Sequence, residues 1–206
     1  MAQVTLHYFD AYGRAESMRL VLKHAGVEFV DHRMTHEQWA EYKQQGTCEF
    51  GQVPSLEIDG HHLVQSASIM RYLCKKYGFV GGSAHEDYLA DSTCELHNDI
   101  IQAYIRAMSE NSVDTFKTTF MQGKLQLLQK RFVEHGGQFF VGNHITIADF
   151  YMLEFLYDYY MRPSKRESDL PGLTLYAPRL IEYVESLLKQ SANLQAYLNS
   201  RPELPF

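Results

Sequence analysis

The stretch SLEIDGHHLV, residues 55–64, contains two short runs of strand-forming residues separated by Asp59 and Gly60. An Asp-Gly pair readily takes the positive φ angles that both central positions of a type I′ turn require. The stretch therefore predicts a β-hairpin, which means that this part of the chain contains a sheet.

Strand and helix patterns alternate on both sides of this hairpin. Val4, Leu6 and Tyr8 alternate with polar neighbours as in a half-buried strand, and residues 14–25 are rich in helix formers and end at Gly26. The remaining segments are an extended run at 28–34, a short helix at 37–44 and a helix at 66–77. The predicted order is β-α-β-α-β-β-α, a small mixed sheet covered by helices.

Strand patterns are absent beyond about residue 87, where apolar residues recur at helical spacing. The segment 147–160 is apolar almost all round, which predicts the buried central helix of a bundle, with Thr146 as its N-cap and Asp149 at the third helical position. We therefore predict an α/β domain over residues 1–79 and an all-α domain over residues 87–206, with a linker marked by the glycines and serine at 81–83.

The composition excludes several classes of protein. The 206 residues are 45% hydrophobic and 21% charged, as in globular proteins, which argues against disorder. The sequence contains no uninterrupted run of 18 apolar residues, so it predicts no membrane-spanning helix. Its first residues lack the pattern of a secretory signal. A net charge of −6 disfavours nucleic acid and acidic membranes as partners. The three widely spaced cysteines suit a reducing compartment, so we expect a cytoplasmic protein.

The ten histidines do not predict a metal site. His32 and His36 are four residues apart but lie in a segment that reads as extended, and His61 and His62 would point to opposite faces of a strand. We therefore expect no bound metal.

Four local features can carry chemistry, and each also has a purely structural interpretation. Tyr8 ends the first strand, or is only a half-buried strand tyrosine. Val53-Pro54 can present backbone groups to an extended peptide, or is an edge-strand proline. Gln65-Ser66 opens a helix whose N–H groups attract a carboxylate, or only caps it. Trp39 and Lys43 share a helix face, where Lys43 can offer its charge to an anionic ligand, or the ring only packs under the lysine stem.

Taken together, these features suit an anionic tripeptide that carries a thiol. The chain resembles the cytosolic glutathione transferases of the tyrosine type, of sigma or pi class, over its full length. The resemblance rests on four motifs: YFDAYGRAESMR at 8–19, FGQVPSLEIDG at 50–60, QSASIMRYL at 65–73 and GNHITIAD at 142–149. It implies a thioredoxin-like N-terminal domain, an all-helical C-terminal domain that completes the electrophile site, and a role in detoxification.

The resemblance also implies roles for individual residues. Tyr8 would stabilise the glutathione thiolate by a hydrogen bond, with electrostatic support from Arg14. The other expected glutathione-binding residues are Trp39, Lys43, Gln52, Val53, Pro54, Gln65, Ser66 and, from the other subunit of a homodimer, Asp99. Glutathione would be a co-substrate, with no cofactor.

The second substrate is expected to be a hydrophobic electrophile. Its predicted surface is formed by Phe9, Tyr12, Tyr104, Met108 and Phe206. Two other interpretations stay open at this point: a glutathione-dependent prostaglandin D isomerase of sigma type, and a non-catalytic carrier of hydrophobic ligands or crystallin-like structural protein. Glu95, Asn98 and Asp99 differ from the aspartate cluster of some sigma-class relatives, which weakens an interpretation based on metal activation.

Overall fold

The computed structural model describes residues 3–204, which form two compact units. Residues 3–78 and 191–204 belong to the first unit, and residues 79–190 form the second. The segment 191–204 thus lies with the N-terminal unit, whereas the sequence pattern placed it in the helical domain.

The first unit contains a four-stranded mixed sheet. Its strands are β1 (Val4–Phe9), β2 (Phe29–Met34), β3 (Ser55–Ile58) and β4 (His61–Val64), in the spatial order β2-β1-β3-β4. β1 is parallel to β2 and antiparallel to β3, which pairs with β4 as the predicted hairpin. Asp59 and Gly60 have φ angles of 54° and 78°, as a type I′ turn requires.

Three helices complete the predicted β-α-β-α-β-β-α order. They are α1 (Glu16–His24), which follows a 3₁₀ turn at Gly13–Ala15, α2 (His36–Gln44) and α3 (Ser66–Tyr77). α2 begins with a capping box in which Thr35 and Gln38 each bind the other's backbone N–H, and α3 ends at Gly78 with φ 83°. Leu6 of β1 lies opposite Leu56 of β3, and both are fully buried. The thioredoxin-like fold expected for this part of the chain is confirmed.

All regular secondary structure of the second unit is helical in the part that the structure describes. Its α-helices are α4 (Ala84–Ser109), α5 (Val113–Thr115), α6 (Met121–Glu134), α7 (Ile147–Leu156), α8 (Leu170–Tyr176) and α9 (Pro178–Gln190). π-helical turns follow α5 and α7 at Phe116–Phe120 and Tyr157–Met161. α4 begins inside the predicted linker, because Ser83 caps it by accepting a hydrogen bond from the Glu86 N–H.

α7 is the buried centre of this unit, as predicted, and every residue from Ile147 to Leu156 is buried. Its capping box consists of Thr146 and the fully buried Asp149. The Asp149 carboxylate accepts four hydrogen bonds, from Thr146 N (2.8 Å), Thr146 Oγ1 (3.0 Å), Phe140 N (2.9 Å) and Tyr183 Oη (2.9 Å). One side chain therefore joins the start of α7 to the preceding loop and to α9.

The last helix, α10 (Ala192–Ser200), packs against α1 in the first unit. Its N-cap, Ser191, lies 2.8 Å from His24 Nδ1 and accepts a hydrogen bond from the Leu194 N–H. Among the helices of residues 3–204, none is long and apolar enough to cross a bilayer.

Candidate active site

Tyr8 lies near the carboxyl end of β1, where the chain leaves the sheet. Its hydroxyl accepts a hydrogen bond of 3.2 Å from the backbone N–H of Arg14. Gly13, with φ 42°, passes so close that a Cβ atom there would lie 2.7 Å from Tyr8 Oη. Within the described residues no acceptor takes the proton of this hydroxyl, so Tyr8 can donate it to a ligand.

Arg14 contributes to this arrangement through its backbone. It belongs to the 3₁₀ turn that precedes α1, and its side chain is exposed. An N–H group that donates to the Tyr8 oxygen polarises the hydroxyl and makes it a stronger donor in turn. The resemblance implied electrostatic support from Arg14, and the structure adds this backbone contact.

Trp39 and Lys43 share one face of α2, as their spacing predicted. The Lys43 ammonium nitrogen lies 5.9 Å from the centroid of the Trp39 ring, within reach of a cation–π interaction. Trp39 is half-buried against the cluster formed by Met34, Tyr42 and Cys48, whereas Lys43 is exposed. The aromatic ring is thus anchored beside a cation that faces solvent, an arrangement that can bind a carboxylate.

Gln52 and Gln65 come together from separate loops. The Gln65 side-chain amide donates to Gln52 Oε1 at 3.2 Å, and Gln65 has an unusual φ of 70° immediately before Ser66 begins α3. The Val53-Pro54 peptide bond is cis, and Val53 packs against the same buried cluster as Trp39.

Among the remaining predicted residues, the half-buried Phe9 lies beside Tyr8 and Trp39, with its ring centroid 5.6 Å and 6.2 Å from theirs. Its ring centroid also lies 4.9 Å from that of His36. Asp99, Tyr104 and Met108 belong to α4 in the second unit, where Asp99 and Met108 are exposed. Phe206 lies outside the described residues.

Tyr12 requires a correction. Its side chain is only 1% exposed, and its hydroxyl donates to the carbonyl of Pro202 at 2.6 Å. The sequence placed Tyr12 on the surface that binds the electrophile, but the C-terminal segment covers its ring. Tyr12 therefore offers no free surface to a substrate.

A row of polar side chains crosses the sheet, and the sequence pattern did not predict it. His7 Nδ1 lies 2.8 Å from His32 Nδ1, and His7 Nε2 lies 3.1 Å from Glu57 Oε1. His62 continues the row, with its Nδ1 atom 3.7 Å from Glu57 Oε1. The ring of Tyr42 from α2 stacks on His7 at 4.8 Å. Burial lowers the pKa of His7, and Glu57 acts in the opposite direction. The period-two pattern of β1 placed His7 on the face of the strand opposite to that of Leu6. The partners of His7 become visible only from the register of the neighbouring strands.

No metal centre emerges from the residues between 3 and 204. Within that range no group of three or more His, Cys, Asp or Glu side chains is arranged to hold a metal ion. The three cysteines in the same range, Cys48, Cys74 and Cys94, are buried free thiols. Burial raises the pKa of Cys74, which keeps this thiol in its unreactive neutral form.

Comparison with known families matches both halves of the chain. Residues 4–75 match the family described as "Glutathione S-transferase, N-terminal domain", and residues 95–201 match "Glutathione S-transferase, C-terminal domain". The chain is 33% identical to glutathione S-transferase 2 of Manduca sexta, over the full length of both proteins.

Solved structures show the same likeness. The glutathione S-transferase of Ascaris lumbricoides superposes with a TM-score of 0.83 at 28% identity, with all of both chains covered. The prostaglandin synthase D of Nilaparvata lugens superposes with a TM-score of 0.81 at 26% identity, covering 98% of this chain and 100% of that one.

Proposed function

Because the chain belongs to the glutathione S-transferase family and is a glutathione transferase, we propose that Tyr8 holds glutathione as its thiolate for attack on hydrophobic electrophiles. The observation that carries this proposal is the Tyr8 hydroxyl, which accepts from the Arg14 N–H and keeps its own proton available. A hydroxyl in this state donates its hydrogen bond to a thiolate more strongly than to a thiol.

The energy that this hydrogen bond supplies matches what the reaction needs. A free cysteine thiol with a pKa near ~8.5 is only a few per cent ionised at neutral pH. Lowering that pKa by about 2 requires roughly 2.7 kcal/mol of differential stabilisation. A hydrogen bond to a charged acceptor contributes about 1.5–3 kcal/mol, so Tyr8, polarised by Arg14, is sufficient. The thiolate sulfur then forms a bond to the electrophilic carbon without a covalent enzyme intermediate.

The remaining glutathione contacts follow from the charges and donors of the first unit. Lys43, exposed beside the anchored Trp39, would bind the glycine carboxylate. Ser66 begins α3, whose unpaired N–H groups and positive dipole end favour the γ-glutamyl carboxylate. Gln65 and Gln52 flank the same place, and the backbone of Val53 would pair with the cysteinyl unit.

The substrates and partners are proposed on the same basis. We assign a hydrophobic electrophile, with Phe9, Tyr104 and Met108 as the predicted contact residues, and no cofactor besides the co-substrate glutathione. We also propose a homodimer, in which the exposed Asp99 reaches the γ-glutamyl amine of glutathione bound to the other subunit. The three buried free thiols suit a cytoplasmic location.

A second activity is supported by one comparison. The Nilaparvata lugens protein of similar structure is a prostaglandin synthase D. In this reaction the thiolate held by Tyr8 would attack one peroxide oxygen of prostaglandin H, so that an S–O bond forms, the O–O bond breaks and the other oxygen leaves as an alkoxide that takes up a proton. Removal of the proton on the carbon that bears the S–O group then forms a ketone, breaks the S–O bond and releases the glutathione thiolate unchanged. Chromatography of the products formed from prostaglandin H, with glutathione present and absent, tests this isomerase activity directly.

The decisive experiment for the transferase is an ultraviolet titration of bound glutathione. Thiolate absorbance is followed against pH for the wild-type protein and for Tyr8→Phe, which removes the hydroxyl and keeps the ring. We expect the bound thiol to ionise well below its free pKa in the wild type and near its free pKa in the variant. Binding without this shift would indicate a carrier, and absence of binding would indicate a structural protein.

A further inference from the structure

The segment of residues 10–14, termed here the Tyr8 loop, determines the surroundings of the Tyr8 hydroxyl. The Arg14 N–H in this loop donates to the hydroxyl, and Gly13 lies in close contact with it. A small displacement of the loop would therefore lengthen the Arg14 hydrogen bond or change the direction in which the hydroxyl points. The groups that hold the loop in place consequently influence how well Tyr8 stabilises a thiolate.

Arg19 binds the backbone of the Tyr8 loop. Its fully buried guanidinium donates to the carbonyl of Ala11 at 2.9 Å and to the carbonyl of Tyr12 at 3.2 Å. Arg19 is itself fixed by two carboxylates, Glu16 at 3.0 Å and Asp31, whose two oxygens both lie 3.0 Å from its Nε. The loop backbone is thus tied to a buried set of charges.

The C-terminal segment of residues 201–204 binds the side chain of Tyr12 in the same loop. The Arg201 guanidinium lies 4.1 Å from the centroid of the Tyr12 ring and forms an ion pair with Glu16. The Tyr12 hydroxyl donates to the carbonyl of Pro202 and accepts from the N–H of Leu204 at 3.2 Å. Arg201 therefore reaches the loop by two routes: directly through Tyr12, and through Glu16 and Arg19.

The charges that hold the Tyr8 loop are buried. The side chains of Glu16 and Arg201 are 0% and 3% exposed, and Tyr197 donates a further hydrogen bond of 2.9 Å to Glu16. Removing one partner of a buried ion pair leaves the other charge uncompensated, so the neighbouring groups must rearrange. Among the groups that contact Arg201 or Glu16 are Tyr12, which belongs to the Tyr8 loop, and Arg19, which binds the backbone of that loop.

We propose that Arg201 is a positioning residue for thiolate formation, which acts on the Tyr8 hydroxyl through Tyr12 and the Tyr8 loop. This inference rests on the proposed function of Tyr8. The residue itself touches no reacting atom. Along the chain, Arg201 lies 193 positions from Tyr8 and 187 positions from Arg14, the two residues whose geometry it controls.

The test measures the ionisation of bound glutathione in Arg201→Met, which keeps much of the side-chain volume, and in Arg201→Lys, which keeps the charge. We expect the thiolate fraction at pH 7 to fall about threefold to tenfold in Arg201→Met, because the hydrogen bond is misdirected rather than lost. Arg201→Lys should recover part of this loss. Glutathione affinity measured above the thiol pKa should change little, since Lys43 and Ser66 are untouched.

Two further variants complete the design. Tyr12→Phe removes only the hydroxyl that binds Pro202 and Leu204, and it should shift thiol ionisation in the same direction by a smaller factor. Arg179→Met is the matched control, because Arg179 is an exposed arginine on α9 that pairs with Glu182. It should leave thiol ionisation unchanged. If Arg201→Met does not fold, Tyr12→Phe decides the question alone.

Unfolding midpoints separate positioning from mere stability. A lower midpoint with unchanged thiol ionisation in both Arg201→Met and Tyr12→Phe would overturn the inference and leave the proposed function intact. A wild-type protein whose bound thiol ionises at its free pKa, or a Tyr8→Phe variant identical to the wild type, would overturn both. A shift in the Arg201 and Tyr12 variants that is absent from Arg179→Met supports the inference.

Discussion

Gly13 offers the sharpest test of how the loop controls Tyr8, through the substitution Gly13→Ala. The added Cβ would lie 2.7 Å from Tyr8 Oη, about 0.7 Å short of the 3.4 Å at which ordinary contact begins. The Cε1 and Cζ atoms of the same ring would lie at 3.0 and 3.2 Å. Because all three close atoms belong to one side chain, the ring of Tyr8 must move away and carry its hydroxyl with it.

Two separate penalties follow from this substitution. An alanine held at φ 42° destabilises the folded chain by about 1–2 kcal/mol, as any left-handed L-residue does. The displaced hydroxyl adds a functional loss, since a misplacement of about 1 Å at a reacting centre can slow a reaction ~10²-fold. We expect kcat/KM to fall roughly 10-fold to 100-fold at neutral pH.

Gly60→Ala is the matched control for the backbone penalty. Gly60 has φ 78° in the hairpin turn, and a Cβ there would meet no atom within 4 Å. Both variants should lose similar unfolding free energy in a denaturant titration, and only Gly13→Ala should lose activity toward an aryl halide whose conjugate absorbs. Control by the Gly13 position over Tyr8 is refuted if the two variants keep kcat/KM values within about twofold of each other.

Two further predictions concern stability. Burial lowers the pKa of His7 below 6.5, so in mild acid the unfolded chain binds a proton that the folded protein does not. Stability should therefore fall as the pH drops below about 6.5, and this fall should be shallower in His7→Gln, as followed by urea titrations at several pH values. Asp149→Ala removes the acceptor of four hydrogen bonds and should lower the unfolding free energy by about 3 kcal/mol or more, as measured by chemical denaturation.

Each of these predictions has a control variant. The exposed His61→Gln controls for loss of an imidazole, and an identical pH slope in wild type and His7→Gln would contradict the first prediction. Thr146→Ser keeps the capping hydroxyl and should lose much less stability than Asp149→Ala. An Asp149→Ala variant within about 0.5 kcal/mol of wild type would contradict the second.

Local chemistry made much of the fold predictable. Asp59-Gly60 specified the hairpin because few other pairs accept positive φ at both positions, and the structure has those angles. Thr146 and Asp149 marked the start of α7 because their side chains satisfy backbone N–H groups that the helix leaves free. Trp39 and Lys43 were placed on one face by helical spacing alone.

Contacts between distant parts of the chain were not predictable in this way. Tyr12 is buried by residues about 190 positions later, and no periodic pattern encodes that contact. His7 obtains its partners from the register of neighbouring strands, which a single strand does not reveal. The π-helical turn after α7 was not predicted because the segment 147–160 is apolar almost all round, so that a change of helical phase leaves its apolar pattern unaltered.

The grouping of residues 191–204 with the first unit has a consequence for protein synthesis. The second unit is one continuous segment of roughly 110 residues, and at ~5–20 residues per second a ribosome takes roughly 6–20 s to translate it. Throughout that interval Glu16 and Tyr12 have emerged, but Arg201 does not yet exist. The unit that is translated first is therefore the last to be completed, and until then Glu16 lacks the positive charge of Arg201.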